Sequence, residues 1–288
     1  MMTKVVAIAV LILGVSMFAG QRRGGGRGGG PGGGGCLVGN QNYGDGTEDT
    51  SAPRKIDRSG FVFARLKYHM IPQWKPGTTG IAGLGGWGEV PWHHGYAFAD
   101  TLLPDSMKRL TETASSGESY QIVDVDSPEI FKYPFIYLSE PGYLVLKAAD
   151  TKNLREYFDR GGFMLIDDFR GTRDGAPADN YEYDNMIAQF KKVFPERNIK
   201  PLTPDNEIFH IFYDVDAAHM VQSYQTYNSG APEFLGFSDD SGRINVVVDY
   251  NNDIRQYWQG LDLGRCSLQA SSAAVELGVN MAIYAMSH

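Results

Sequence analysis

Short apolar runs that alternate with amphipathic segments are the feature that most constrains the fold of this 288-residue chain. The apolar runs have the length of strands, and the segments between them place apolar residues three and four positions apart, as helices do. Such alternation predicts helices around a largely parallel sheet. The predicted strands are Phe61–Tyr68, Gln121–Val125, Pro134–Glu140 and Phe163–Ile166. The predicted helices are roughly Phe98–Thr113, one that begins with Asp150 as N-cap, one marked by Met186, Phe190 and Val193, and a buried closing helix at Ala273–Met286.

Two further runs, EFLGF and RINVVVDY, are separated by a turn at Asp239–Gly242. They predict a hairpin that adds antiparallel strands to the sheet. Together the elements predict a single three-layer α/β domain with a flavodoxin-like strand order, mostly parallel with an antiparallel edge.

The stretch GGFMLIDDFRG, Gly161–Gly171, runs from a helix end into a buried strand and then into two adjacent aspartates. Asp167 and Asp168 therefore lie at the carboxyl end of a strand, where ligands collect in sheets of this kind. Glu140 and residues 249–253 lie at the ends of other strands. We call Glu140, Asp167, Asp168 and residues 249–253 together the strand-end rim. Because neighbouring strand residues point to opposite faces, we expect one aspartate to serve a site and the other to hold the loop. Candidate partners for a buried carboxylate are Arg65, Arg170 and Arg173.

The N-terminal part of the chain indicates targeting rather than a folded core. Residues 1–20 contain a lysine and then an apolar run of about 14 residues, which is typical of a signal peptide and short for a bilayer span of roughly 20. Residues 21–58 are Gly-rich and predict a disordered linker, so the folded domain is expected at 59–288. We therefore expect an exported, periplasmic or cell-envelope-associated protein that meets a membrane only through an uncleaved N-terminal segment.

Composition and motifs exclude several classes of chemistry. A net charge of -8 argues against a nucleic-acid partner. Cys36 and Cys266 could pair in an oxidising compartment. Cys266 lacks the Gly-x-Cys-x-Gly context of a nucleophile, and no G-x-S-x-G motif occurs. No cofactor and no metal site are predicted: His93 and His94 are adjacent, so they can chelate only from an irregular loop, and Ile254 stands where a calcium loop needs glycine.

The loop from Ile71 to Tyr96 is too long for a simple connection and is rich in Gly, Pro and Trp. Its tryptophans, Trp74, Trp87 and Trp92, suit stacking against carbohydrate or peptide, and they equally suit a lid packed over the sheet edge.

Seven stretches of the chain, spread in one order over residues 60–288, resemble the bacterial family known as domain of unknown function 4159. The stretches are FARLKY (Phe63–Tyr68), YPFIYLSEPGYL (Tyr133–Leu144), LREYFDRGGFMLIDDF (Leu154–Phe169), FKKVFPER (Phe190–Arg197), EIFH (Glu207–His210), GRINVVV (Gly242–Val248) and ELGVNMAIYAMSH (Glu276–His288). The resemblance implies a class I glutamine-amidotransferase-like fold and no established activity.

The chain departs from the family pattern at several polar positions. A W-x-x-D-Y-P stretch of the family corresponds to Trp92–Ala97, where the Asp and the Pro are missing. In an N-T-D-x-x-D-G-W-E stretch, Asn251, Asp253 and Trp258 match, whereas the second Asp and the final Glu do not. The family His before the I-F-H triplet is Asn206 here. If those groups carry chemistry in relatives, this chain has lost part of it.

Two functions remain open from the sequence. The leading hypothesis is an exported, noncatalytic or weakly catalytic amidotransferase-like domain that binds a carbohydrate, a peptide or a cell-envelope partner at the strand-end rim. The alternative is a hydrolase on a carbohydrate or peptide-like substrate, with Asp167 or Asp168 as general base and, in a metal-assisted version, His93 or His94. The candidate ligand-binding residues are Arg65, Tyr68, Trp92, His93, Glu140, Asp167, Asp168, Asn251, Asp253 and Trp258.

Overall fold

In the computed structural model, the described residues are 56, 58–71, 90–168, 181–217, 233–261 and 266–288. Several sequence predictions lie outside these ranges. They are the signal peptide at 1–20, nearly all of the linker at 21–58, the loop tryptophans Trp74 and Trp87, and the candidate partners Arg170 and Arg173.

The fold is α/β, built on a seven-stranded sheet and a separate two-stranded one. The strands are β1 (Phe63–Lys67), β2 (His69–Met70), β3 (Tyr120–Asp124), β4 (Phe135–Ser139), β5 (Leu144–Val145), β6 (Phe163–Asp167), β7 (Lys200–Pro201), β8 (Glu233–Ser238) and β9 (Ile244–Tyr250). The large sheet has the order β3-β1-β4-β6-β9-β8-β7, and β2 pairs with β5.

Strands β3, β1, β4, β6 and β9 run parallel, whereas β8 is antiparallel to both of its neighbours, β9 and β7. The predicted α/β sheet, mostly parallel with an antiparallel edge, is therefore confirmed. The predicted hairpin is present as β8 and β9, but only β8 reverses direction within the sheet. Strand β9 continues the parallel part because it pairs with β6.

Five helices cover the sheet within the described ranges. They are α1 (Phe98–Leu110), α2 (Ala148–Asp159), α3 (Tyr181–Val193), α4 (Ile254–Leu261) and α5 (Leu268–Ser287). Apolar side chains of α1, α4 and α5 pack in one core on one face of the sheet, and those of α2 and α3 pack in a second core on the other face. The central strands β4 and β6 are buried throughout because both of their faces are covered.

Two details of the helices differ from the sequence predictions. The N-cap of α2 is Lys147, and Asp150 lies one turn inside, where its Oδ2 accepts a hydrogen bond from the Lys147 N–H at 2.8 Å. Helix α4 was not predicted, although Ile254, Tyr257 and Trp258 have helical spacing and all three are buried. The closing helix is confirmed as α5, and no helix in the described part of the chain is long and apolar enough to cross a membrane.

The strand order reverses its direction of winding at one place in the sheet. Taken along the chain, the parallel strands lie in the order second, first, third, fourth, fifth, so the direction of winding reverses between β1 and β4. Ligands of open α/β sheets bind outside the carboxyl ends of the strands at such a reversal. A site is therefore expected at the carboxyl ends of β1 and β4, and the end of β6 lies next to that of β4.

Candidate functional site at the strand-end rim

Three neighbouring strands leave the sheet through a residue in the left-handed conformation. Glu140 follows β4 with a φ of 49°, Asp168 follows β6 with a φ of 65°, and Asn251 follows β9 with a φ of 65°. A non-glycine residue in this conformation costs on the order of 1–3 kcal/mol and persists where its surroundings hold it. Such strain clusters at functional sites. At Asp168 the strand has ended, so Asp167 and Asp168 are freed from strict alternation.

His94 joins two of these three residues. It follows a short 3-10 helix at Pro91–His93, and its Nδ1 lies 2.7 Å from Asp168 Oδ2 and 2.7 Å from Glu140 Oε1. All three side chains are buried. Burial and the charge of Arg255 oppose the imidazolium, but Asp168 and Glu140 outweigh them and raise the pKa of His94 to about 9. His94 is therefore a cation held between two carboxylates.

Asp167 points away from this cluster and holds the start of α4. Its Oδ2 accepts hydrogen bonds from the Tyr137 hydroxyl at 2.9 Å and from the Arg255 N–H at 3.1 Å, and its Oδ1 accepts one from the Ile254 N–H at 3.0 Å. A carboxylate at these buried N–H groups satisfies donors that have no partner within the first turn of a helix. Asp167 thus fixes the loop after β9, and Asp168 meets His94.

Asp167 and Asp249 form a buried pair of acids on neighbouring strands. Burial, followed by the charges of Asp253 and Asp168, raises the pKa of Asp167 to about 7. Burial and the charge of Asp167 raise the pKa of Asp249 well above its ordinary value, although the Asn252 amide donates to Asp249 Oδ2 at 3.1 Å. Two buried carboxyls that interact in this way retain a proton between them more readily than either would alone.

Arg255 supplies a positive charge next to the His94 cluster. Its Nη2 lies 2.6 Å from Asp253 Oδ2 and 3.6 Å from Asp168 Oδ2. Asp253 also accepts a hydrogen bond from the Gln256 N–H through Oδ1, at 3.1 Å. The predicted residue Asp253 therefore lies beside the cluster and positions Arg255, a residue that the sequence analysis did not select.

Arg65 and Tyr68 hold the rim from the β1 side. Arg65 makes two hydrogen bonds of 2.7 Å to the carboxylate of Asp100 on α1, and its Nη1 donates to the carbonyls of Trp92 and His94 at 3.2 and 3.1 Å. The Tyr68 hydroxyl is 2.7 Å from the Glu140 carbonyl oxygen. Both residues contact the backbone of the cluster rather than its reactive side-chain atoms.

The remaining predicted residues lie in different surroundings. His93 packs its ring against Trp92 and Tyr96, with ring centroids 5.2 and 4.6 Å away, and is 1% exposed. Trp92 is buried in the core beside β1. Trp258 lies in the opposite core, where its Nε1 donates to the Ala274 carbonyl at 2.8 Å. The structure therefore brings His94, rather than His93, to Glu140 and Asp168.

Two groups of side chains in the described ranges have ligand atoms near enough to share a metal ion. One is the buried group His94, Glu140 and Asp168, and the other is the more exposed group His69, Asp126 and Asp150. In each group the ligand atoms lie within 4.8 Å of one another. A histidine with two carboxylates suits divalent cations. The sequence analysis placed Glu140 and Asp168 at one rim and named His94 in the metal-assisted alternative, whereas it did not indicate the second group.

Comparison with known proteins identifies one relationship. No curated protein matches the chain. A family model described as a domain of unknown function (DUF4159) matches residues 63–286, which is most of the chain and includes the carboxyl ends of all the parallel strands. The resemblance that the seven sequence stretches carry is therefore confirmed, and the chain belongs to the DUF4159 family.

Proposed function

We propose that this protein is an exported, noncatalytic, amidotransferase-like domain that binds a carbohydrate, a peptide or another cell-envelope component at the strand-end rim. One observation carries the proposal. Glu140 and Asp168 end adjacent parallel strands in the strained left-handed conformation, and both reach the same atom of buried His94. Strained residues and buried charged clusters of this kind are enriched at active sites and ligand sites.

The strand order supports the fold assignment within the proposal. An order of second, first, third, fourth, fifth is the order of flavodoxin-like sheets, to which amidotransferase-like folds are similar. The rim then corresponds to the edge where related sheets carry their sites. A glutaminase reaction is excluded from the proposal because Cys266 is disulfide-bonded and lacks the nucleophile motif.

The N-terminal sequence and the cysteine chemistry support export. Residues 1–20 have the pattern of a signal peptide, and residues 21–58 that of a flexible tether. A disulfide at Cys266 suits an oxidising compartment, and the chain's other cysteine, Cys36, lies outside the described residues. Cell fractionation tests this part: recovery in the cytoplasmic fraction with an intact N-terminus would contradict export.

A thermal-shift screen tests the binding proposal. Purified protein is screened against oligosaccharides, muropeptides and cell-wall fragments, and each hit is repeated with Asp168→Asn and with Asp159→Asn as a matched control. Asp159 lies on α2 in an exposed ion pair with Arg155, away from the rim. We expect the Asp168 variant to lose the shift and the Asp159 variant to keep it. A shift that survives in both variants would place binding elsewhere, and the absence of any hit in the screen and in pull-downs from envelope extracts would reject the proposal.

A hydrolase is the second candidate, favoured by the 2.7 Å contact between Asp168 Oδ2 and His94 Nδ1. An acid and an imidazole at this distance can pass a proton to or from a substrate or water. Incubation with chromogenic glycosides and with peptides tests it, read as product release over time. Turnover that Asp168→Asn abolishes would replace the noncatalytic proposal, and no release from either panel would leave the binding proposal in place.

A further inference from the structure

The His94 cluster brings three ligand atoms together from three separate segments. His94 Nδ1 comes from the loop after the Pro91–His93 turn, Glu140 Oε1 from the end of β4, and Asp168 Oδ2 from the end of β6. All three side chains are at most 9% exposed. One imidazole nitrogen and two carboxylate oxygens that lie within 4.8 Å of one another are a suitable set of ligands for a metal ion. We call these three ligand groups the tripod.

The formal charges of the ligand groups suit a divalent cation. As metal ligands, the Glu140 and Asp168 carboxylates contribute two negative charges, and a neutral His94 imidazole contributes none. The Arg255 guanidinium is nearer to Asp253, at 2.6 Å, than to Asp168, at 3.6 Å, so it lies between two carboxylates of which only Asp168 belongs to the tripod. A divalent ion bound to these three atoms would bring the tripod to zero net charge, and buried charged groups are typically paired or coordinate a metal.

We infer that His94, Glu140 and Asp168 form a binding site for one divalent transition-metal ion of the zinc class. The inference rests on the proposed function, since it names a ligand of the same strand-end rim. His94 Nδ1 and the carboxylate oxygens each give one coordination bond, and binding releases the proton on Nδ1 to solvent. The nitrogen ligand favours zinc and its transition-metal neighbours over Mg²⁺ and Ca²⁺, which take oxygen ligands.

The backbone around the tripod is held by residues that do not themselves ligate. Arg65 Nη1 donates to the His94 carbonyl at 3.1 Å, and the Tyr68 hydroxyl lies 2.7 Å from the Glu140 carbonyl oxygen. The Glu140 N–H donates to the Asp167 carbonyl at 3.2 Å, which links two of the strand ends. Arg65 and Tyr68 are therefore positioning residues for the site. Such supporting contacts around metal ligands orient them for binding.

The geometry requires only a small adjustment to admit the ion. Zinc binds nitrogen and oxygen at about 2.0–2.2 Å, which sets the ligand atoms roughly 3.4 Å apart in a tetrahedral site. The two contacts of His94 Nδ1 are 2.7 Å each, so both would lengthen by roughly 0.7 Å.

The second candidate group is a weaker site and a useful comparison. His69 Nε2 lies 3.6 Å from Asp150 Oδ1, but the Lys147 ammonium lies 3.2 Å from the other ring nitrogen of His69. A cation beside the imidazole opposes metal binding, and Asp126 is exposed to solvent. The two groups therefore offer a matched pair of histidines, of which only His94 is expected to bind the ion.

A zinc competition titration tests the inference. Purified protein is stripped with EDTA, exchanged into metal-free buffer and titrated with Zn²⁺ against a chromophoric chelator, and Co²⁺ absorption reports the ligand geometry. We expect one ion per chain and, at a hundredfold excess over Kd, a thermal midpoint raised by roughly 5 °C or more. His94→Gln, Glu140→Gln and Asp168→Asn should each weaken binding by about 100-fold or more, whereas His69→Gln should bind as the wild type does. Circular dichroism identifies the variants that retain the fold.

Each outcome decides the inference. Saturable 1:1 binding that is lost in the folded tripod variants and kept in His69→Gln supports it. No saturable binding by the wild type, equal affinity in a folded tripod variant, or loss in His69→Gln overturns it. To separate this result from the proposed function, the sugar and peptide screen is repeated in EDTA. A shift that depends on Asp168 without any zinc binding overturns only the metal site, and no response to organic ligands or metal overturns both.

Discussion

The buried ion pair between Arg65 and Asp100 offers the sharpest test of how the rim is held. Both side chains are at most 1% exposed, and their two hydrogen bonds are 2.7 Å long. Removing one partner of such a pair leaves an uncompensated buried charge, which costs about 3–5 kcal/mol. That is a large part of a typical unfolding free energy of about 5–15 kcal/mol. We therefore expect Asp100→Asn to lower the free energy of unfolding by about 3–5 kcal/mol.

The double variant separates the charge effect from the other bonds of Arg65. Arg65→Met with Asp100→Leu removes both charges and replaces them with apolar volume, which by itself is often close to neutral. Arg65 also donates to the carbonyls of Trp92 and His94, and leaving those acceptors without a donor costs about 1–3 kcal/mol. The double variant should therefore be more stable than Asp100→Asn and less stable than the wild type.

Urea unfolding at pH 7, followed by circular dichroism, measures these differences. The matched control is Arg155→Met, which breaks the exposed ion pairs with Asp159 and Glu196 and should cost less than about 1 kcal/mol. A loss below about 1 kcal/mol for Asp100→Asn would refute the reasoning, because it would mean that the buried guanidinium does not depend on this partner.

Three further predictions concern other buried contacts. Because the pKa of Asp249 is raised, the stability that this residue contributes is full below about pH 3.8 and is lost as the pH rises. Asp249→Asn should therefore raise the unfolding free energy at pH 8 by about 0.5–3 kcal/mol and leave it nearly unchanged at pH 3.5. Equal effects at both pH values in urea titrations would contradict this. Tyr157→Phe removes a hydroxyl that bonds the Phe163 backbone at 2.8 Å and should cost about 1–3 kcal/mol in the same assay; an unchanged midpoint would disprove it. Gly278→Ala places a Cβ 2.8 Å from the Trp258 ring and should lower stability by about 1–3 kcal/mol, whereas a neutral or stabilising result would mean that the helix and ring move apart freely.

The layout of the sheet could be predicted from the sequence because a strand buried on both faces is a continuous apolar run of neighbouring residues. The runs that became β4 and β6 are apolar at nearly every position, and the segments that became α1 and α3 repeat apolar residues at helical spacing. Helix α4 was not predicted because its apolar pattern is too short to be distinctive. The helix is only eight residues long, and polar residues surround its start. Its first turn is specified by Asp167, which lies 87 residues earlier in the chain.

The strand-end rim could be located from the sequence, but its contacts could not. Carboxyl ends of parallel strands meet at one edge of the sheet, so Glu140, Asp167 and Asp168 were expected to lie near one another. Asp167 and Asp168 are adjacent in the chain, and no sequence pattern tells which of them faces a helix start and which faces an imidazole. That difference follows from the left-handed turn at Asp168.

The sequence by itself determined that this chain forms a mostly parallel α/β sheet with acidic residues at its carboxyl edge, because apolar periodicity and chain order depend on neighbouring residues. Only the tertiary structure decided that His94 rather than His93 meets those acids. The two histidines are adjacent and chemically identical, and His94 lies 74 residues from Asp168. The directions of the two histidine side chains are set by an irregular turn. Arg65 holds this turn by donating hydrogen bonds to the carbonyl oxygens of Trp92 and His94. A contact of this kind depends on the orientation of one side chain across a large sequence separation, and local pattern does not encode it.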